Sequence, residues 1–180
     1  CNTRDKAILS NVLNDYDLET QDFFRWQVSY TPPELSALIT SRIGIDFGDI
    51  QSIEPVERGV SGRITRLRLQ ASKRDMIIGK ELVIRKAFSQ SHLYSSAFIV
   101  ETEKDTSGAI TRFTLKGAGW GHGVGLCQIG AAIMSAKGYG YQEILSHYFP
   151  GTQLESIKNV NSSVSFAATS SINRGGAGES

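Results

Sequence analysis

Apolar and polar residues alternate along several short runs of the chain and follow helical spacing along others. Residues 23–30 read as a strand, with Phe24, Trp26 and Val28 on one face at period two. Thr31-Pro32-Pro33-Glu34 then has the form of a helix start: Thr31 as N-cap, Pro32 at the first helical position, Glu34 three residues after the cap. Leu35, Leu38, Ile39 and Ile43 continue at helical spacing until Gly44 stops them. A short strand is expected within 48–56, limited by Pro55, and Gly59 and Gly62 bracket a turn. Residues 63–72 alternate as a half-buried strand, with Thr65, Leu67, Leu69 and Ala71 on one face and Ile64, Arg66, Arg68 and Gln70 on the other. Residues 76–78 suit a brief strand and 79–88 a short helix.

The pattern predicts a hairpin from 95–103 and 110–116, with Asp105-Thr106-Ser107-Gly108 as its turn. Leu126, Ile129, Ile133 and Ala136 follow a helical period that Gly138 ends. Residues 141–148 predict a second short helix ended by Pro150-Gly151, and 152–157 a closing strand. The fold expected from this series is α+β, a mixed or antiparallel sheet with packed helices in a single domain. Residues 1–22 form a polar N-terminal segment with scattered Ile8, Leu9, Val12 and Leu13. Residues 23–157 carry the domain, and 158–180 turn to Ser, Asn, Ala and Gly, the composition of a disordered tail. The chain begins at Cys1, so a processed product or a fragment of a longer domain is expected.

Composition narrows the function classes. The 180 residues carry a net charge of +1, which does not mark a nucleic-acid binder. Six basic residues and no acid lie between Arg58 and Arg74. A solvated strand face accounts for them better than a patch for an anionic polymer. No apolar run reaches the roughly 18 residues a membrane span needs. Cys1 and Cys127 make neither a zinc motif nor a disulfide framework, and His92, His122 and His147 have no metal-ligand spacing. No metal or cofactor is expected.

The least ordinary stretch is Gly117-Ala118-Gly119-Trp120-Gly121-His122-Gly123-Val124-Gly125, where five glycines occupy alternate positions. Each glycine loses more backbone freedom on folding than any other residue. Such a run is tolerated where positive φ or close approach is needed. The spacing fails the dinucleotide fingerprint and lacks the Lys-Ser/Thr of a phosphate loop. Trp120 and His122 argue against a flexible linker. Two readings stay open: a structural bend with a packed histidine, or a rigid loop presenting Trp120 and His122 at a cleft. For the second, the candidate substrate-binding residues are Trp120, Gly121, His122, Gly123 and Gln128. His122 and Gln128 offer hydrogen bonds suited to sugar hydroxyl or acetamido groups. Cys127, five residues after His122, invites a Cys-His nucleophile reading. Nothing supplies a third member, and a small side chain at a helix start is the simpler account. His92 reads as structural and His147 as a packing or capping residue.

The run Gly-Trp-Gly-His-Gly-Val-Gly-Leu-Cys-Gln-Ile-Gly-Ala-Ala, followed by Lys137-Gly138-Tyr139-Gly140-Tyr141, Ile144-Leu145 and His147-Tyr148-Phe149-Pro150-Gly151-Thr152, resembles the signature of the SpoIID/LytB family. That family contains stage II sporulation protein D and the amidase enhancer. The likeness extends more loosely from about residue 22 to about residue 155. It implies an extracytoplasmic place in bacterial cell-wall remodelling, with peptidoglycan glycan strands and a cell-wall amidase as partners. In the sporulation protein the activity is that of a lytic transglycosylase. The family's catalytic glutamate lies in a segment resembling Val-Val-x-x-Glu-Met, followed by Ala-Gln-Ala-x-Ala-x-Arg-Thr. This chain contains neither, nor the family's middle Ser-Gly-Gly or Cys-Gly-Gly segment, so it matches the C-terminal part of the domain. No catalytic residue is assigned. Glu34 is committed to the cap, and Glu54, Glu57, Glu81, Glu101, Glu103, Glu143 and Glu155 have no apolar pocket legible in the sequence. Whether the chain belongs to an enzyme is therefore left open. The alternative is a non-enzymatic peptidoglycan-binding or amidase-enhancing module.

Overall fold

In a computed structural model of the chain, residues 24–155 are described, together with Asp5 and Ala7. The expectations for 1–22 and 158–180 otherwise lie outside the described residues. The element order is β1 (Arg25–Tyr30), α1 (Pro32–Ile43), β2 (Ile50–Arg58), β3 (Ile64–Ala71), β4 (Asp75–Gly79), α2 (Glu81–Ala87), β5 (Phe98–Lys104), β6 (Ile110–Ala118), α3 (Gln128–Ala136) and α4 (Tyr141–Tyr148). The class is α+β. The strands form two three-stranded antiparallel sheets, ordered β1-β6-β5 and β2-β3-β4.

Local chemistry sets these elements. The Glu34 carboxylate accepts the backbone N–H and the hydroxyl of Thr31, each at 2.8 Å, and so fixes the entry to α1. Gly44 ends the helix at φ 76° with its N–H on the Thr40 carbonyl. The Asp105 carboxylate accepts from Ser107 N–H at 2.8 Å and Ala109 N–H at 3.0 Å, closing the β5–β6 turn. Two expectations are corrected. Pro55 does not limit β2, which runs through it to Arg58: β2 is an edge strand, where a missing N–H costs no ladder bond, and the register shifts just after it. Of the closing strand expected over 152–157, residues 152–155 pair with no strand among the described residues, and 156–157 lie outside them.

One core unites the two sheets. Trp26, Phe98, Phe113 and Leu115 from the first sheet meet Ile64, Leu67 and Leu69 from the second, closed by Leu35, Ile39 and Ile84 of α1 and α2. The segment before β5 ties the sheets together. Ser96 donates its hydroxyl to the Ile64 carbonyl at 3.1 Å and accepts the Ile64 N–H on its own carbonyl at 3.0 Å. Ala97 accepts the Ala118 N–H at 2.9 Å, and the Ser95 hydroxyl donates to the Ala118 carbonyl at 2.9 Å. Helices α3 and α4 have no buried residue. They pack on each other where the Tyr148 hydroxyl lies against Gly130, a contact so close that a Cβ at Gly130 would sit 2.0 Å from the Tyr148 oxygen.

The end of β6 depends on a second close approach. A Cβ at Gly117 would lie 2.0 Å from the indole of Trp26. Gly117→Ala is therefore expected to destabilise the protein by about 2 kcal/mol through overpacking, read as a lowered thermal midpoint. The acid limb of stability is also predictable. Thr31 holds the Glu34 carboxyl below its ordinary value, first through the backbone N–H and then through the hydroxyl. A depressed folded-state value contributes stability above the unfolded value, and that stability is lost as pH falls through the folded one. The thermal midpoint should thus drop as pH falls below about 4, the ordinary carboxylate range. Glu34→Gln should show a lower midpoint at neutral pH and a shallower acid decline.

Candidate functional site

β6 delivers the chain directly into the glycine run. Gly119, Gly121, Gly123 and Gly125 take φ values of 73°, 74°, 72° and 74°. The four alternate left-handed residues explain why glycine recurs at every second position: an L side chain there costs roughly 1–2 kcal/mol per residue. The expected strand end near Lys116 falls at Ala118, and the helix, whose apolar period begins at Leu126, starts at Gln128. Cys127 is the N-cap, its sulfur accepting the Gly130 N–H at 3.3 Å. That sulfur is disulfide-bonded. The bond corrects the reading that the cysteines make no disulfide framework and removes the Cys-His nucleophile reading, since no thiol is present to ionise. Cys1, the other cysteine of the sequence, lies outside the described residues.

The first half of the loop is held group by group. Gly119 donates its N–H to the Phe24 carbonyl at 2.7 Å, and its carbonyl accepts Trp26 Nε1–H at 3.2 Å. Gly121 donates its N–H to the Tyr94 carbonyl at 2.8 Å. Arg63, which stands 58 residues earlier in the chain, donates Nε–H to the Gly121 carbonyl at 2.8 Å and Nη2–H to the Trp120 carbonyl at 3.1 Å. The trans peptide places a carbonyl and the following N–H on opposite sides. The Trp120–Gly121 peptide is therefore gripped from both sides, by Arg63 and by Tyr94. The guanidinium also lies across Gly123, where a Cβ would stand 2.2 Å from Nη1. Burial pulls the Arg63 guanidinium below its ordinary value, and the Glu81 carboxylate opposes that shift.

Trp120 stacks on Tyr94 with ring centroids 5.1 Å apart and planes at 21°. Behind Tyr94 follow Trp26 at 5.7 Å, then Phe98 at 6.1 Å and Phe88 at 5.9 Å. A ladder of rings thus runs from the core to the half-exposed Trp120, so the loop's aromatic residue is oriented by the fold. His122 is exposed, and its Nδ1 accepts the Val124 N–H at 3.1 Å. An accepting Nδ1 leaves Nε2 as the protonated nitrogen of the neutral ring. Gln128 is exposed at the first turn of α3.

The structure brings Trp120, Gly121, His122 and Gly123 into one loop, with Gln128 at the start of the helix that follows. Among the described residues, the N–H groups of His122, Gly123 and Gly125 have no protein acceptor. The loop therefore turns its first carbonyls to protein donors and leaves later N–H donors at the surface. His92 is exposed, and His147 packs edge-on against Tyr148 at 4.8 Å, as a packing histidine would. Two surface hollows of about 480 and 650 Å³ lie beside α1 and include no residue of the loop. No group of His, Cys, Asp or Glu among the described residues has the geometry to hold a metal ion.

Sequence reasoning missed Arg63 and Tyr94. Arg63 belongs to the basic run, of which Arg66 pairs with Glu57, Arg68 with Asp75 and Lys73 with Asp46, as on a strand face, while Arg58 donates to the Phe98 carbonyl of the other sheet at 2.7 Å. No periodicity reports that Arg58 and Arg63 reach across, Arg58 to β5 and Arg63 to the glycine loop. Gly121 and Gly123 distinguish the two constraints on the loop. At Gly121 a Cβ meets nothing within 4 Å, so alanine there bears only the backbone cost, about 1–2 kcal/mol. Gly123→Ala must in addition displace the Arg63 guanidinium, and its thermal midpoint should fall further. Equal losses for the two variants would show that Arg63 does not hold the loop.

A family model described as "Domain of unknown function (DUF8618)" matches residues 1–125, ending within the glycine loop. An "Amidase enhancer" of Bacillus subtilis (strain 168) is 44% identical over 57 residues, which is 32% of this chain. Those residues cover 8% of that protein, so the chain spans a small part of the curated relative it matches. The match supports a relationship to SpoIID/LytB proteins.

Proposed function

Because the chain belongs to the DUF8618 family and shares a stretch with an amidase enhancer, we propose that it is an extracytoplasmic, cell-wall-associated module that binds peptidoglycan glycan strands through the glycine loop. The observation that carries this reading is the polarity of the loop. Arg63 and Trp26 Nε1 occupy the carbonyls of Gly119, Trp120 and Gly121, while the N–H groups of the exposed His122, Gly123 and Gly125 have no acceptor among the described residues. Such a surface suits a ligand rich in acceptor oxygens, such as the hydroxyl and acetamido groups of an amino-sugar polymer. Trp120 supplies the flat apolar surface, His122 Nε2–H a further donor, and Gln128 both a donor and an acceptor. Gly121 and Gly123 let the ligand approach the backbone. The disulfide at Cys127 fits an oxidising compartment outside the cytoplasm. No described helix is long and apolar enough to cross a membrane.

The role proposed for this chain is an accessory one, with a cell-wall amidase as partner, and not glycan cleavage. Protonating a glycosidic oxygen needs a carboxyl held in its acid form by an apolar site. Among the described glutamates, Glu34, Glu54, Glu57, Glu101, Glu103, Glu143 and Glu155 are exposed, and Glu81 is paired with Arg85 at 3.6 Å. A lytic transglycosylase reading therefore belongs to a longer parent that supplies the acid from another segment. This chain incubated with purified peptidoglycan should release no anhydro-muropeptide by chromatography. An anhydro product abolished by changing one glutamate of the chain would overturn the accessory reading.

Binding is tested at His122. A single hydrogen bond is worth about 1 kcal/mol net, so His122→Ala should weaken binding to purified glycan strands about fivefold while the thermal midpoint changes little. A sharply lowered midpoint with unchanged binding per folded molecule would make His122 a pin of the loop and not a ligand contact.

A further inference from the structure

We propose that the Glu81–Arg85 pair of α2, far from the loop in sequence, is a positioning device that holds the Leu93–Tyr94 segment and thereby sets the orientation of Trp120 and Gly121. Only the bearing on ligand rests on the glycan reading; the effect on the loop stands apart from it. Three observations converge on Glu81. Lys80, immediately before it, is the one non-glycine residue with positive φ among the described residues, at 68°. A strained backbone of this kind persists only where the surroundings hold it, here the Thr65 carbonyl accepting Lys80 N–H at 3.2 Å. The strained turn starts α2 with Glu81 directed inward, its side chain 17% exposed against 10% for Arg85. One carboxylate oxygen of Glu81, Oε1, is buried without a hydrogen-bond partner, while Oε2 stands 3.6 Å from Arg85 Nη1. A buried acceptor left unpaired is costly, and a surface pair on a solvated helix would have avoided it.

Arg85 carries the effect outward. Its Nε–H donates to the Leu93 carbonyl at 2.6 Å, and its own carbonyl accepts the Leu93 N–H at 3.0 Å. Leu93 is thus locked to α2 on both of its backbone groups. The next residue, Tyr94, presents the ring on which Trp120 stacks and the carbonyl that accepts Gly121 N–H. From the other side, Glu81 also favours the charged form of Arg63, whose guanidinium holds the Trp120 and Gly121 carbonyls. One carboxylate therefore serves two arginines: Arg63, which holds the Trp120 and Gly121 carbonyls directly, and Arg85, which holds Leu93, the residue before the Tyr94 whose carbonyl accepts Gly121 N–H. Without its charge, Arg85 would be a buried cation lacking its partner, and Arg63 would lose the group that offsets its desolvation.

The test follows backbone amide and indole N–H resonances of the full chain, with the Trp120 indole identified by Trp120→Phe. Glu81→Gln keeps the shape and removes the charge. It should shift the Trp120 indole and the Gly121 and Gly123 amides while leaving the amides of α1 and β4 in place. The double variant Glu81→Leu/Arg85→Met separates positioning from packing. Replacing a buried pair by apolar groups of similar volume commonly preserves stability, so its thermal midpoint should recover, yet the loop resonances should stay displaced because the Leu93 carbonyl has lost its donor. Glycan binding by either variant should fall about fivefold, the loss of one well-made hydrogen bond. Wild-type loop resonances in the double variant, or a shift confined to α2, would overturn the proposal. If Glu81→Gln does not fold, the double variant and Arg63→Lys decide instead, since both must displace the same loop signals. Displaced loop signals with unchanged glycan binding would uphold the positioning role and count against the glycan reading alone.

Discussion

The geometry of the glycine loop depends on one peptide group, that between Trp120 and Gly121. Its carbonyl is taken by a guanidinium from the second sheet and its N–H by the Tyr94 carbonyl from the segment between the sheets. An arginine donating to two carbonyls is a charge-assisted contact, stronger than a neutral hydrogen bond, and here it is partly withdrawn from water. Once this peptide is fixed, the following residues have little freedom. Gly123 lies under the guanidinium, and His122 is exposed. Positive φ at each second residue is the backbone's solution, which is why the sequence repeats glycine with that period.

The same constraint links the site to the core. The ring ladder Phe88, Phe98, Trp26, Tyr94 and Trp120 connects fully buried residues to a half-exposed one without a break. Gly117 lets Trp26 lie flat on β6, and Ser95, Ser96 and Ala97 join both sheets to the strand end from which the loop departs. A site built on such supports is preorganised, which lowers the entropy a ligand must remove on binding. In contrast, α3 and α4 bury no residue.

Much of this was legible in the sequence because it is local. The capping box at Thr31 and Glu34, the Asp105 turn, the β5–β6 hairpin and the two C-terminal helices each rest on residues a few positions apart. The glycine run announced positive φ through composition alone. What sequence could not show was non-local. Arg63 looks like its neighbours Arg66 and Arg68, and nothing in period or spacing marks it as the residue that reaches the glycine loop. Pro55 looked like a stop because an edge strand cannot be distinguished from a central one by pattern. Tyr94 lies in a stretch without periodicity, and its role appears only once β6 is paired with both β1 and β5. The cysteine spacing likewise gave no sign that the Cys127 sulfur is bonded.

The measurement closest to the central claim is a titration of the chain with soluble, purified peptidoglycan glycan strands, followed at the backbone amides. The account predicts saturable shifts of His122, Gly123 and Gly125 and of the first turn of α3, with the Trp120 indole moving in step. Saturable binding that leaves these signals in place and moves those beside the α1 hollows, at Ser36, Thr40 or Asp49, would contradict it.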